Sequence, residues 1–243
     1  GRYIAYGTPR ADGHWVTAYY VFDRTTGLSD KVSVSSTGVD SGIGDAGQAL
    51  WGISADGRYF VMRPATRLTA NAVASSNNIY LRDRVARTTT LLTADSQGAG
   101  VPGGHGNAVI SSDGRHLVFT SDVAWVPEDT NGVVDVYARE IATGGMTLVS
   151  RELDGSVSTR PSTSAAVSAT GRVVTFLRAS LTTGQQQVYA HDRDTDGDGL
   201  LDEPGTAAIF LVSAKPDGSE FTDASAGGPV SANGQHVAFI NGG

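Results

Sequence analysis

Residues Ser111-Ser112-Asp113-Gly114-Arg115-His116-Leu117-Val118-Phe119 carry the reading that decides the fold. Asp-Gly is a hairpin-turn dipeptide, because glycine takes positive φ freely and Asp tolerates it. The alternation after the turn reads as a strand with one buried face. The stretch recurs as Ser54-Ala55-Asp56-Gly57-Arg58, then weakens to Ser168-Ala169-Thr170-Gly171-Arg172 and Ser231-Ala232-Asn233-Gly234-Gln235. The chain opens on Gly1-Arg2-Tyr3-Ile4-Ala5-Tyr6, the same marker without its head. Gly1, Gly57, Gly114, Gly171 and Gly234 are separated by steps of 56, 57, 57 and 63 residues.

Two further landmarks keep the same period. One is an aromatic strand ending in an acid: Tyr20-Val21-Phe22-Asp23-Arg24, Tyr80-Leu81-Arg82-Asp83-Arg84, Tyr137-Ala138-Arg139-Glu140 and Tyr189-Ala190-His191-Asp192-Arg193. The other is a following strand: Lys31-Val32-Ser33-Val34, Thr90-Leu91-Leu92-Thr93, Thr147-Leu148-Val149-Ser150 and Phe210-Leu211-Val212-Ser213. Short apolar stretches such as Asn107-Ala108-Val109-Ile110 precede the markers. Each unit therefore offers about four short strands in a meander, and no stretch holds a helical period over a dozen residues.

A meander of this size cannot bury both faces alone. Radial stacking of such sheets covers them and leaves only short edges. The expected fold is all-β: a β-propeller of four-stranded antiparallel blades, about four blades plus partial ends. The repeats run roughly over 1–53, 54–110, 111–167 and 168–230, with a partial unit at 231–243. A row of small β-sandwiches is the alternative. The two ends share one repeat phase, so the expectation is a fragment of a larger ring.

The composition agrees. The 243 residues include 31 Gly but only 18% charged residues, against roughly 7% Gly and 25% charged in ordinary soluble domains. A net charge of −7 argues against a nucleic-acid partner, which needs a basic face. The apolar runs are too short for a transmembrane helix. The chain has no Cys, which removes disulfides and thiolate chemistry.

The strongest local motif is Asp192-Arg193-Asp194-Thr195-Asp196-Gly197-Asp198-Gly199-Leu200-Leu201-Asp202-Glu203. Alternating carboxylates around a glycine turn wrap oxygen ligands about a hard cation the size of Ca2+. Two registers fit. One uses Asp192, Asp194, Asp196 and Glu203. The other uses Asp194, Asp196, Asp198, the Leu200 carbonyl and Asp202, with Leu201 as apolar anchor, and it leaves Asp192 to the repeat. A weaker cation candidate is Asp129, Asn131 and Asp135, where Asn131-Gly132 also reads as a plain hairpin turn. The expected role of the metal is structural, in an insertion between blade strands.

Catalytic motifs are missing: there is no Gly-x-Ser-x-Gly, no His-Glu-x-x-His, no Walker loop and no Gly-x-Gly-x-x-Gly opening a helix. His105 is read as a loop residue, and His116 and His236 as strand surface positions. Trp15, Trp51 and Trp125 share no repeat phase and are read as packing between blades, with sugar-stacking or partner-binding surfaces as the alternative.

The Ser-x-Asp-Gly-Arg markers and the aromatic-Asp-Arg strands resemble the WD40-like, TolB-type (PD40) propeller repeats of bacterial proteins. Asp-Thr-Asp-Gly-Asp-Gly-Leu-Leu-Asp, from Asp194 to Asp202, resembles the calcium loops of dockerin and thrombospondin type 3 repeats. It departs at Gly205, where a bidentate Glu belongs. The TolB resemblance implies an extracytoplasmic, non-catalytic platform binding a protein or glycan on a loop face. Such blades also resemble the gating domain of prolyl-oligopeptidase-type peptidases, which would make the chain an accessory to a hydrolase domain. A propeller hydrolase or lyase using acids at the axial mouth is the third reading.

Overall fold

The computed structural model describes residues 1–8, 18–41, 49–64, 66–74 and 76–242, with backbone alone at 49–51. Every regular element among them is a β-strand, and two compact units divide the chain, Gly1–Gly114 and Arg115–Gly243. In the first, β1 (Tyr3–Thr8), β2 (Ala18–Asp23) and β3 (Leu28–Lys31) form an antiparallel meander. A four-stranded sheet follows in sequence order: β4 (Ala49–Ile53), β5 (Tyr59–Arg63), β6 (Tyr80–Asp83) and β7 (Thr88–Leu91). β8 (His105–Ile110) packs beside β4 and β5.

The second unit opens on β9 (His116–Ser121), β10 (Asp135–Glu140) and β11 (Met146–Leu148), again antiparallel. Its four-stranded sheet is β12 (Ser162–Val167), β13 (Val173–Ala179), β14 (Gln186–Asp192) and β15 (Ala208–Leu211). β16 (Ser225–Val230) and β17 (Val237–Asn241) pair beyond it.

The two polar landmarks meet inside each sheet. The marker arginine reaches the acid at the end of the next strand: Arg2 to Asp23 at 2.6 Å, Arg58 to Asp83 at 2.7 Å, Arg115 to Glu140 at 3.6 Å, and Arg172 to Asp192 at 2.8 Å. The arginine after that acid then donates to the marker glycine carbonyl, Arg24 to Gly1 at 3.1 Å, Arg84 to Gly57 at 2.6 Å and Arg193 to Gly171 at 2.9 Å. The Ser and Asp of the marker close the turn itself, with Ser54 and Ser111 each donating to the Asp two residues on at 2.5 Å.

The marker glycine also sets the distance between sheets. Gly114 has φ +74°, and a Cβ there would come within 2.7 Å of the Tyr59 ring in the preceding sheet. Gly57 lies in the same way on Tyr3, Gly171 on His116, and Gly234 on Val173. Only glycine satisfies both the left-handed turn and the close approach. The backbone adds a bond across the same contact, Ala55 N–H to Ser112 O at 2.8 Å and Ala169 N–H to Ala232 O at 2.9 Å.

Covered sheets bury both faces of their strands. All six residues of β9 are buried, which corrects the one-faced reading of His116 to Phe119. Tyr19, Val21, Phe60, Met62 and Tyr80 form the core of the first unit, with Val21, Phe60 and Met62 each worth about 1.5–3 kcal/mol of burial. Phe176 and Tyr189, stacked at 5.8 Å, do the same in the second. A hydroxyl that sequence reasoning passed over repeats in every third-landmark strand. Ser33, Thr93, Ser150 and Ser213 accept from the backbone N–H of Tyr19, Ile79, Val136 and Val188 at 2.9–3.2 Å. Its signal was present, since a Ser or Thr follows an apolar residue each time, Val32, Leu92, Val149 and Val212.

Candidate metal centre

The acidic segment joins β14 to β15 over residues 193–207. The corresponding link between β6 and β7 takes only residues 84–87, and that between β10 and β11 residues 141–145. The segment is thus an insertion at a position where the repeat needs only a tight turn.

Its carboxylates divide into two sets. Ligand oxygens of Asp194, Asp196 and Asp198 lie within 4.8 Å of one another, with Asp194 buried and the other two exposed. Asp194 is fixed by its own loop, accepting the Gly197 N–H at 2.9 Å and the Gly199 N–H at 3.2 Å. Burial pushes its carboxyl up, but Asp196, those amides and the Arg172 charge outweigh it and hold Asp194 below the ordinary carboxylate range. Asp198 accepts the Leu200 N–H at 2.8 Å. Glu203 is raised, first by burial and then by the charges of Asp198, Asp196 and Asp194, so its carboxyl stands in the field of the same three.

The second set is occupied by arginines. Asp192 belongs to the Arg172 clamp of the repeat. Asp202 accepts from Arg193 Nε at 2.9 Å and from the Thr147 hydroxyl at 2.8 Å. The Leu200 side chain is exposed and Leu201 is half-buried. The convergent oxygens are thus those of the first three candidate ligands in the register that starts at Asp194. Neither Asp192 nor Asp202 turns its carboxylate to them without leaving an arginine.

Around Asp129, Asn131 and Asp135 the polar groups satisfy one another. Asn131 Nδ2 donates to Asp135 at 2.6 Å and to the Ser158 carbonyl at 2.7 Å, Ser150 donates to Asp135 at 2.6 Å, and Tyr137 O–H donates to Asp129. Burial pushes the Asp135 carboxyl up. Gly132, at φ +72°, supplies the turn of the β9–β10 link.

Two histidine readings are corrected. His105 begins β8 and is fully buried, with Nε2 3.1 Å from the Val101 carbonyl, because the chain after Gly104 enters a strand directly. His116 is buried beneath Gly171, whereas His236 is exposed just before β17. Trp125 packs edge-on to Phe119 at 5.8 Å and donates to Ser121 at 3.1 Å. Trp51 lies in β4 with its side chain outside the described residues, as is all of Trp15.

No protein-family model matches the sequence, and no curated protein matches it either. Solved structures do match. A structure from an analysis of two prolyl endopeptidases aligns over 98% of this chain and 32% of its own, at 12% identity and TM-score 0.54. The tricorn protease aligns over 88% of this chain and 20% of its own, at 12% identity and TM-score 0.50. The β-propeller domain of the Trilobed protease from Pyrococcus furiosus aligns over 77% and 46%, at 13% identity and TM-score 0.47.

The fold is a β-propeller.

The chain spans less than half the length of each of these matches. The acidic insertion joins the third and fourth strands of the β12–β15 sheet. Sequence reasoning missed that Arg193 would leave its repeat duty half free to hold Asp202. It also passed over His191, although that residue stands in the phase where two other blades carry Arg82 and Arg139. No helix of the described residues is long and apolar enough to cross a membrane.

Proposed function

We propose that this propeller is a non-catalytic, extracytoplasmic binding module that presents a loop face to a protein or glycan and is braced by Ca2+ in the β14–β15 insertion. The observation that carries the reading is the convergence of Asp194, Asp196 and Asp198 within 4.8 Å. Three hard oxygens gathered this closely repel one another, and the raised Glu203 beside them reports the same field. A divalent cation relieves that repulsion and suits oxygen-only donors. Its ligands would be Asp194, Asp196 and Asp198, with Glu203 and the Leu200 carbonyl as the remaining candidates not held by an arginine. Millimolar extracellular calcium suits a modest site.

Binding to the folded state alone raises the melting temperature with ligand concentration. At ten times Kd the gain is about 1.4 kcal/mol, a few degrees for a chain of this size. Asp196→Ala with Asp198→Ala abolishes that rise and, without calcium, leaves the melting temperature equal or slightly higher, because two repelling charges are gone. The same rise in the double variant, or none in the wild type at millimolar calcium, ends the metal reading.

A second reading draws on the fold likeness to tricorn protease and a prolyl endopeptidase. The chain covers 20–32% of those chains, so an accessory propeller of a larger hydrolase is the alternative. A Gly-x-Ser-x-Gly motif elsewhere in the same open reading frame favours it.

A further inference from the structure

A cavity of about 510 Å3 opens in the second unit beside the acidic insertion. That is within the roughly 300–1,000 Å3 typical of small-molecule sites. Its walls come from β11, the loop after it, and the β14–β15 end of the next sheet, so the insertion supplies one wall through Asp202 and Ala207. His191 lines it and is 4% exposed. His191 Nδ1 lies 2.9 Å from the Val149 carbonyl. A carbonyl only accepts, so Nδ1 carries the proton, and in the neutral ring Nε2 is left as an acceptor. Burial favours that neutral ring, lowering the His191 pKa. Among the described residues the ring's one hydrogen bond is the one through Nδ1, so a 4%-exposed side chain brings an acceptor they do not meet to the cavity.

The charges around it are mostly spent in pairs. Arg151 holds Glu128 at 2.8 Å on one side, and Arg193 holds Asp202 on the other. Asp154, already bonded to Ser156 at 2.7 Å, adds one negative charge at the rim. An anion therefore meets three carboxylates and no spare cation, and a cation has only Asp154 to gain from. What remains in the lining are acceptors (His191 Nε2 and the free lone pairs of Asp202 and Glu128), the guanidinium donors of Arg151, and the apolar side chains of Met146 and Ile209. Hydroxyls arranged around a ring with apolar C–H faces match that pattern, because each hydroxyl both donates and accepts.

The geometry points to this cavity as a binding site for a neutral saccharide unit, with His191 Nε2 accepting from a ring hydroxyl and Arg151 donating to another. The inference deepens the binding-module reading and rests on it, but not on the calcium claim. The test titrates the intact chain, calcium-loaded, with methyl glycosides of glucose, galactose, mannose and N-acetylglucosamine at millimolar concentration. The readout is the imidazole 15N and backbone amide NMR shifts.

One of the four is expected to give saturable shifts at His191, Thr147 and Ile209. Ile209→Trp, which fills the cavity, is expected to weaken binding at least ten-fold with blade folding retained in the amide spectrum. Should that variant fail to fold, the shift map of the wild type decides alone. Shifts away from the cavity, or none with all four sugars, overturn the saccharide site. Equal or stronger shifts there with glucose 6-phosphate or a simple primary amine overturn it as well. If a protein partner is still captured in those cases, the module reading stands and the saccharide inference alone has failed.

Discussion

Gly171→Ala is expected to lower the melting temperature several times more than Gly218→Ala. The two glycines have the same turn conformation, φ +81° and +82°, and each amide bonds the carbonyl three residues earlier, Ser168 or Lys215. Left-handed strain is therefore matched, at roughly 1 kcal/mol for either alanine. Their surroundings differ. A Cβ at Gly218 meets nothing within 4 Å, whereas at Gly171 it comes within 2.6 Å of His116 Cγ. His116 is buried and cannot swing out. Overpacking adds about 1–3 kcal/mol. The expected total is about 3 kcal/mol for Gly171→Ala, or about 6–12 °C, against about 2–4 °C for the control. Thermal melts of both variants read the difference directly. Equal shifts would mean that the marker glycine serves its own turn only and that neighbouring sheets do not depend on it.

Asp202→Ala is the second large effect, and it separates the acidic residues of the insertion by role. The Arg193 side chain is 4% exposed and that of Asp202 19%. Removing the carboxylate strands a buried guanidinium, which costs about 3 kcal/mol, the low end of the range for broken buried pairs because Asp202 retains some solvent. Asp202 sits below its ordinary value: burial pushes it up, but Arg193 and Thr147 bind the charged form more strongly. A depressed carboxylate stabilises fully above its unfolded value, roughly pH 4, and loses that contribution as pH falls through the folded value. Wild type therefore loses stability in acid below about pH 4, and Asp202→Ala starts lower and loses less over the same interval. A variant that melts within a degree of wild type at pH 7 would remove the anchoring role. It would also return Asp202 to the candidate calcium ligands.

The pattern of the repeat was legible because its causes are local. Asp113-Gly114 turns, Leu117-Val118-Phe119 extends, and Arg58 finds Asp83 because a strand and its neighbour place them opposite each other. The tripod of Asp194, Asp196 and Asp198 was legible for the same reason, since three acids two residues apart around Gly197 come together through the turn itself. The limit appears at Asp202 and Asp192. Both fit a calcium spacing, yet each is taken by an arginine: Asp192 by Arg172 from the head of β13, and Asp202 by Arg193, nine residues earlier in the same insertion. Spacing counts ligands but not competitors.

Unaided, the sequence of this chain settled strand, turn and period, since those depend on φ preferences and side-chain alternation over a few residues. Burial was decided only by the packed sheets. His116 looked like a surface residue and His105 like a loop residue until a neighbouring sheet covered the first and β8 took up the second. The cavity at His191 belongs to the same class. It needs β11, the Arg151–Val157 loop and the β14–β15 insertion side by side. The insertion stands dozens of residues beyond β11 and its loop, and only tertiary contact brings it to the same wall.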